Sequence, residues 1–335
     1  MSKISEDLEE MTKKLGEYVN KGRVIGFNEV RKEPAIAVKP DKSKIKPLRE
    51  MKSCDAHFTA VDCSTRTLKR ANNWGIYLLR ATYASVKGRK VDWSYVEKIC
   101  TVIGGAYERD WLLRDARLEL ESEMALSLLC APCKGRAPYE GHYLLLDGVS
   151  FFGEKRGFKV SLYEKCKEWE INLLAISKQS STLHDDRGRD FMTAAYMISP
   201  YLIWVYHPIE NGKANLHKHL YGDKAVIKLC KDSPRVFRCD IMEYLTDREI
   251  EELLSPLTFI SEDPRCLGYP IPLWLAHDFS RPSDSMLLHY YTQIEEKWAN
   301  AGLRECLHME ELSCNFPDTL HRAMYPYKRE PVDYV

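Results

Sequence analysis

The alternation of apolar and polar residues predicts most elements of the chain. Ile4, Leu8, Met11, Leu15 and Val19 recur near the helical spacing, so residues 3–21 read as an amphipathic helix packed on the body or on a second copy. Residues 39–52 set basic side chains against Asp41 and Glu50, and Pro40 and Pro47 block a helix. That stretch reads as an extended arm, either a solvated face or a contact for a nucleic-acid backbone. A short apolar strand, residues 58–61, runs into Asp62, and the small polar residues behind it predict a turn. Asn72 and Asn73 also suit a turn, and residues 75–84 read as the returning strand of an antiparallel hairpin.

Residues 107–129 predict a long helix with Leu113, Ala116, Leu120, Met124 and Leu128 on its buried stripe. Glu119 and Glu123 lie one turn apart on its flank, whereas Arg117 and Glu121 occupy another face and read as a surface ion pair. A second apolar strand begins at residue 143 and ends in Asp147. A helix over 160–170, a strand over 172–177 ending in Lys178, and a charged loop over 184–190 follow. Further strands are predicted at 201–206, 225–230 and 236–241, and a helix at 247–254. The last long helix is capped by Ser283, stopped by Gly302 and buried through Leu287, Tyr291, Ile294 and Trp298; a polar, frayed tail follows Lys328. This order predicts a mixed α/β sheet with helices on its faces. Three parts are expected: an N-terminal helix and basic arm over 1–52, one domain over 53–302, and a C-terminal extension over 303–335 packed on it.

Composition narrows the chemistry. Basic and acidic residues balance at 49 each, so no overall field draws a polyanion and any such site is a local patch. The charged start is no secretory signal, and apolar runs such as 201–206 are too short to span a bilayer. Eleven cysteines without repeating spacing fit reduced thiols, so a cytoplasmic protein without membrane contact is expected. Cys130 and Cys133 lack the second ligand pair that a zinc site needs.

A carboxylate at the end of a buried strand is poorly solvated and needs a partner. Two strands of one sheet, delivering Asp62 and Asp147 near their ends, can hold a divalent cation between them. A glutamate from the intervening helix would complete an oxygen-rich set suited to magnesium or manganese. Two such ions, about 3.5–4 Å apart, activate water and stabilise the departing oxygen of a phosphodiester. Each aspartate alone has a plainer account as a turn or cap residue, and a lone histidine is most simply part of a packed core.

Three motifs carry a resemblance. Val61-Asp62-Cys63-Ser64, Leu144-Leu145-Leu146-Asp147-Gly148-Val149-Ser150, and Gly268-Tyr269-Pro270-Ile271-Pro272-Leu273 followed by Ala276-His277 occur in the order seen in the NurA nucleases. From about residue 58 to residue 300 the chain resembles that family. The resemblance implies a ribonuclease H-like mixed sheet flanked by helices, and a homodimer enclosing a DNA channel. It implies 5′ to 3′ exonuclease and single-strand endonuclease activity with manganese or magnesium, two ions per site. The setting would be end resection and double-strand break repair beside a HerA-type hexameric ATPase. Metal ligation falls on Asp62, Asp147 and a helix glutamate; Glu123 fits the family's interval best, with Glu119 as the alternative. His277 would ligate metal, orient water or protonate the leaving oxygen, and Tyr269 would position the phosphate or that water. Arg66, Lys178, Arg187 and Arg189 would contact DNA.

The chain departs from the family at Cys63, where glycine is usual, at Val149, which interrupts the second Asp-Gly-Ser, and in a longer segment over 179–186. An inactive DNA-binding clamp or assembly partner is the main rival reading. A nucleotide-processing enzyme is another, but no GxxxxGK[ST] loop occurs.

Overall fold

The computed structural model describes residues 3–21, 36–129, 141–148, 156–180, 183–186, 188–209 and 222–324. Helix α1 (Lys3–Lys21) is followed by β1 (Ile36–Val38) and β2 (Ile45–Pro47), then three long strands, β3 (His57–Arg70), β4 (Trp74–Lys87) and β5 (Lys90–Ile103). Next come α2 (Ala106–Leu128), β6 (His142–Asp147), α3 (Gly157–Glu168), β7 (Asn172–Ser177), β8 (Leu183–Asp185), α4 (Phe191–Ile198) and β9 (Trp204–Tyr206). The chain continues through β10 (Gly222–Lys228), β11 (Phe237–Met242), α5 (Ile250–Leu254), α6 (Pro256–Phe259), α7 (Ile271–Phe279), α8 (Asp284–Asn300) and α9 (Arg304–Met324).

Among the described residues, nine strands form one mixed sheet in the order β2-β9-β10-β11-β7-β6-β3-β4-β5. Within it, β3, β4 and β5 are a continuous antiparallel meander, while β6 runs parallel to β3 and β7 parallel to β6. The run β5-β4-β3-β6-β7 is the ribonuclease H-like arrangement expected from the motifs. The central strands β6 and β7 read as unbroken apolar runs, Tyr143 to Leu146 and Leu173 to Ile176, because both of their faces are covered.

Several elements differ from expectation. The chain does not turn at Asp62: β3 runs on to Arg70, 14 residues in all, since Ser64 through Thr67 stay paired to β4. Strand β5 adds a third long strand to the expected hairpin. Residues 201–203 do not extend β9, and α9 adds a long helix after the one stopped at Gly302. The stretch expected as an arm supplies β2, an edge strand paired to β9, with Ile45 and Leu48 buried.

The largest core packs the sheet against α2, α3 and α5 to α7. A second core joins α1, α8 and α9 to the far ends of β3 and β4. There Trp74 and Trp298 meet edge to face at 5.6 Å, Trp74 Nε1 donates to Glu310 at 2.8 Å, and Lys69 bridges Glu295 and Glu311. Among the described residues no helix is long and apolar enough to cross a membrane.

Trp298 is fully buried, so Trp298→Ala is expected to lower unfolding free energy by about 3–5 kcal/mol. Urea denaturation checks this; a loss below about 1 kcal/mol contradicts the packing role given to the second core.

Candidate metal centre

The site begins with register. The parallel ladder between β3 and β6 ends at Val61 opposite Leu146. The next residues on the two strands are Asp62 and Asp147, so both carboxylates leave the sheet on one face and side by side. Asp147 is then released from the strand by Gly148, whose φ of +93° is a conformation that favours glycine, while the Gly148 amide donates to Ile176 O at 3.0 Å.

The third member comes from α7. Gly268, at φ +89°, passes against Ser233 and starts the turn that delivers Tyr269. Pro270 and Pro272 sit at the start of the helix, where a missing amide proton costs nothing. Six residues later His277 faces Asp62, and its Nδ1 lies 2.7 Å from Asp62 Oδ2. One ligand atom from each of Asp62, Asp147 and His277 falls within 4.8 Å of the others.

Each carboxylate is already held by basic or hydroxylic groups. Lys178 Nζ donates to Asp147 Oδ2 at 2.7 Å, and the Tyr269 hydroxyl donates to Asp147 Oδ1 at 2.8 Å. Burial pushes the Asp62 carboxyl up, but the hydrogen bond from His277, with the charges of Arg117 and Lys178 behind it, outweighs burial and leaves it below its ordinary pKa. The ionised Asp62 accepts from Nδ1–H, and Arg281 donates toward His277 Nε2 at 3.2 Å. Both contacts require the tautomer with its proton on Nδ1, which leaves a lone pair on Nε2. Tyr269 is buried beside Asp147, and burial followed by that carboxylate's charge raises its phenol well above the usual range.

The helix glutamate is the main correction. Glu123 and Glu119 are exposed on α2, and neither belongs to the cluster. Glu121, read from sequence as a surface ion pair, is instead 3% exposed. Its neighbours three and four residues away include Leu118, Met124 and Ala125, all buried, so it lies inside the helix's packed arc. Those neighbours were the available signal in the sequence. Burial, reinforced by the charges of Asp62 and Asp147 and opposed by Arg117, raises Glu121 to about 8. Arg117 Nε approaches it to 3.8 Å, and Glu121 in turn is the largest influence raising Arg117. Glu121, Arg117 and Arg281 are the residues near the site that the motifs did not supply.

The remaining expectations divide. Cys63 is not at a turn; it is a buried strand residue whose amide donates to Asp62 Oδ1 at 2.8 Å. Arg66 is half-buried on β3, on the same face as Asp62 and Ser64. Arg189 is engaged by the fully buried Asp185 rather than by the aspartate pair. Arg187, Cys130, Cys133, Val149 and Ser150 lie outside the described residues.

A mixed sheet of this order, with carboxylates just beyond the point where the parallel pairing of β3 and β6 stops, defines the class: an α/β fold of the ribonuclease H kind. Within that class it is the fold of the NurA nuclease. The crystal structure of NurA nuclease from Sulfolobus solfataricus superposes with a TM-score of 0.53 at 16% identity, over 87% of this chain and 95% of that one. Weaker likenesses, with TM-scores of 0.48 and 0.42, are to a NurA crystal structure with manganese and to Ciona intestinalis endonuclease V in complex with a 24mer DNA. Both share 12% identity, over 84% of this chain and 96% of the first, and 83% of this chain and 97% of the second. No protein-family model and no curated protein matches the sequence.

Glu121 generates a pH signature. Between its ordinary value of 4.5 and about 8 the folded, metal-free chain keeps a proton that the unfolded chain releases. Stability therefore falls as pH rises through that window, by on the order of 1.4 kcal/mol per unit of displacement. Glu121→Gln is expected to flatten this part of the stability–pH profile measured in a chelator; an unchanged slope would contradict the burial argument.

Proposed function

We propose that the chain is a divalent-metal-dependent nuclease that hydrolyses phosphodiester bonds in DNA. The observation that carries this reading is the convergence of Asp62, Asp147 and His277 from three separate elements onto one point. Two carboxylates supply the oxygen ligands that suit manganese or magnesium, and the imidazole nitrogen favours a transition metal such as manganese; Asp62, Asp147 and His277 are the residues that would hold such an ion. Bound there, it would supply Lewis acidity at the phosphoryl oxygen and make a water more acidic. Glu121 lies outside that ligand cluster and acts on it through its buried place beside Arg117.

The chain's own groups have distinct tasks. His277 presents the Nε2 lone pair, which is the atom it would offer to the ion in place of its contact with Arg281, while its Nδ1 stays on Asp62. Lys178 is half-exposed and carries the positive charge nearest Asp147, which suits it to a phosphate oxygen. Tyr269 is too buried to reach substrate, so its role is to position Asp147. Arg66 lies on the same face of β3 as Asp62, which suits it to a phosphate farther along the strand.

The finer reading comes from the motif resemblance. It is a 5′ to 3′ exonuclease on linear ends that also cuts single strands internally. It works as a homodimer beside a HerA-type hexameric ATPase in end resection and break repair.

End-labelled linear DNA incubated with manganese tests the proposal. Asp62→Asn and Asp147→Asn are each expected to cut the rate by about 100-fold or more while retaining the wild-type melting transition, because loss of metal stabilisation is worth several kcal/mol. Equal degradation by the wild type and both variants, or binding by the wild type without cleavage, overturns it.

A further inference from the structure

The face of the sheet that carries Asp62 continues outward to the β5 edge. Asp62 pairs with Thr82 on β4, and Thr82 pairs with Tyr95 on β5. These three share one cross-strand row, which places Tyr95 about 10 Å from Asp62 at ordinary strand spacing. One step along β5, in the same face, is Trp93, opposite Ala84.

Both aromatics are open to solvent, Trp93 at 46% and Tyr95 at 38%, which is unusual for side chains facing the packed side of a sheet. They are nevertheless ordered by their neighbours. Trp93 lies on Phe279, two residues beyond His277 on α7, at 4.4 Å, and Tyr95 stacks behind it at 6.4 Å with the rings 21° apart. The Arg80 guanidinium lies over the Tyr95 ring at 4.3 Å and donates to the Arg281 carbonyl. The same hairpin turns through Arg89 and Lys90, both exposed. Arg80 is buried and ion-paired to Glu97 at 2.6 Å, so it stiffens the Tyr95 ring and leaves the free cations to the turn. Flat, rigid rings continuous with the carboxylate site, with exposed basic residues on the adjoining turn, have the chemistry of a single-strand platform, where bases stack and backbone phosphates meet basic side chains.

We propose that Trp93 and Tyr95 form a base-stacking platform that receives unpaired nucleotides of single-stranded DNA next to the Asp62 site, with Arg89 and Lys90 contacting the phosphates. This rests on the nuclease reading and assigns its substrate: a frayed or single strand passes along β5 to the carboxylates, and an intact duplex cannot stack on the rings.

The test measures binding of labelled oligothymidylate and of a blunt duplex to the full chain in a chelator, so that no cleavage is required. Trp93→Ala is expected to weaken single-strand affinity by about 5- to 100-fold. Duplex affinity should stay within about threefold, and Trp93→Phe should restore most of the single-strand loss. Arg89→Ala should instead lower the salt slope of binding by roughly 0.7. Wild-type single-strand affinity in Trp93→Ala overturns the platform, while metal-dependent cleavage lost in Asp62→Asn would leave the nuclease reading standing. Equal weakening toward both DNAs, or conversion of a two-copy species to one copy in sedimentation, also overturns it and assigns the patch to a second copy of the chain. Failure of the wild type to bind either DNA overturns both readings.

Discussion

The structure depends on holding two carboxylates in the same register of adjacent parallel strands. Asp62 and Asp147 leave β3 and β6 at neighbouring positions, where ordinary strand spacing keeps their backbones about 5 Å apart. Two unit charges at that distance repel by roughly 3 kcal/mol at an effective dielectric constant of 20. The surrounding elements counter that repulsion. Helix α7 brings His277 to Asp62, the end of β7 brings Lys178 to Asp147, and the buried Tyr269 hydroxyl fixes the other Asp147 oxygen. A divalent cation would answer the same electrostatic demand more fully, which is why the arrangement points to a metal rather than to a structural salt bridge.

Glu121 belongs to the same problem from below. It is buried near both aspartates with Arg117 as its partner, so an acid in a packed helix face is kept uncharged by its surroundings at neutral pH. The rigid setting comes from β6 and β7, covered on both faces, and from the long β3–β4–β5 meander. The second core, built around Trp74 and Trp298, clamps the far end of that meander and leaves the site end of the sheet to α7. One strip of this face is left open at the β5 edge, and it is aromatic.

The sequence made the aspartates legible because each follows an uninterrupted apolar run, a local signal. Strand β7, α2 and the cap and stop of α8 were likewise local and were read within a few residues of their true bounds. The turn expected after Asp62 failed because small polar residues suit a turn in isolation, yet pairing with β4 keeps them extended. Strand β5 did carry a local signal, since Val91, Trp93 and Tyr95 alternate with Asp92 and Ser94 at the period of a strand; what the sequence hides is that these apolar residues stay exposed. His277 was visible only through its motif, since nothing local says that a helix will carry it across the sheet to Asp62. Glu121 differs, because the Arg117–Glu121 spacing suggests a surface pair while its apolar neighbours Leu118, Met124 and Ala125 already argue for a packed face.

The central claim is that Asp62, Asp147 and His277 gather one divalent ion. Crystals grown with manganese, measured for anomalous scattering from the metal, test it most directly. The account predicts a peak bounded by those three side chains, with Lys178 displaced from Asp147, and no such peak in Asp147→Asn crystals. A metal peak elsewhere, or none at this point at saturating manganese, would contradict it.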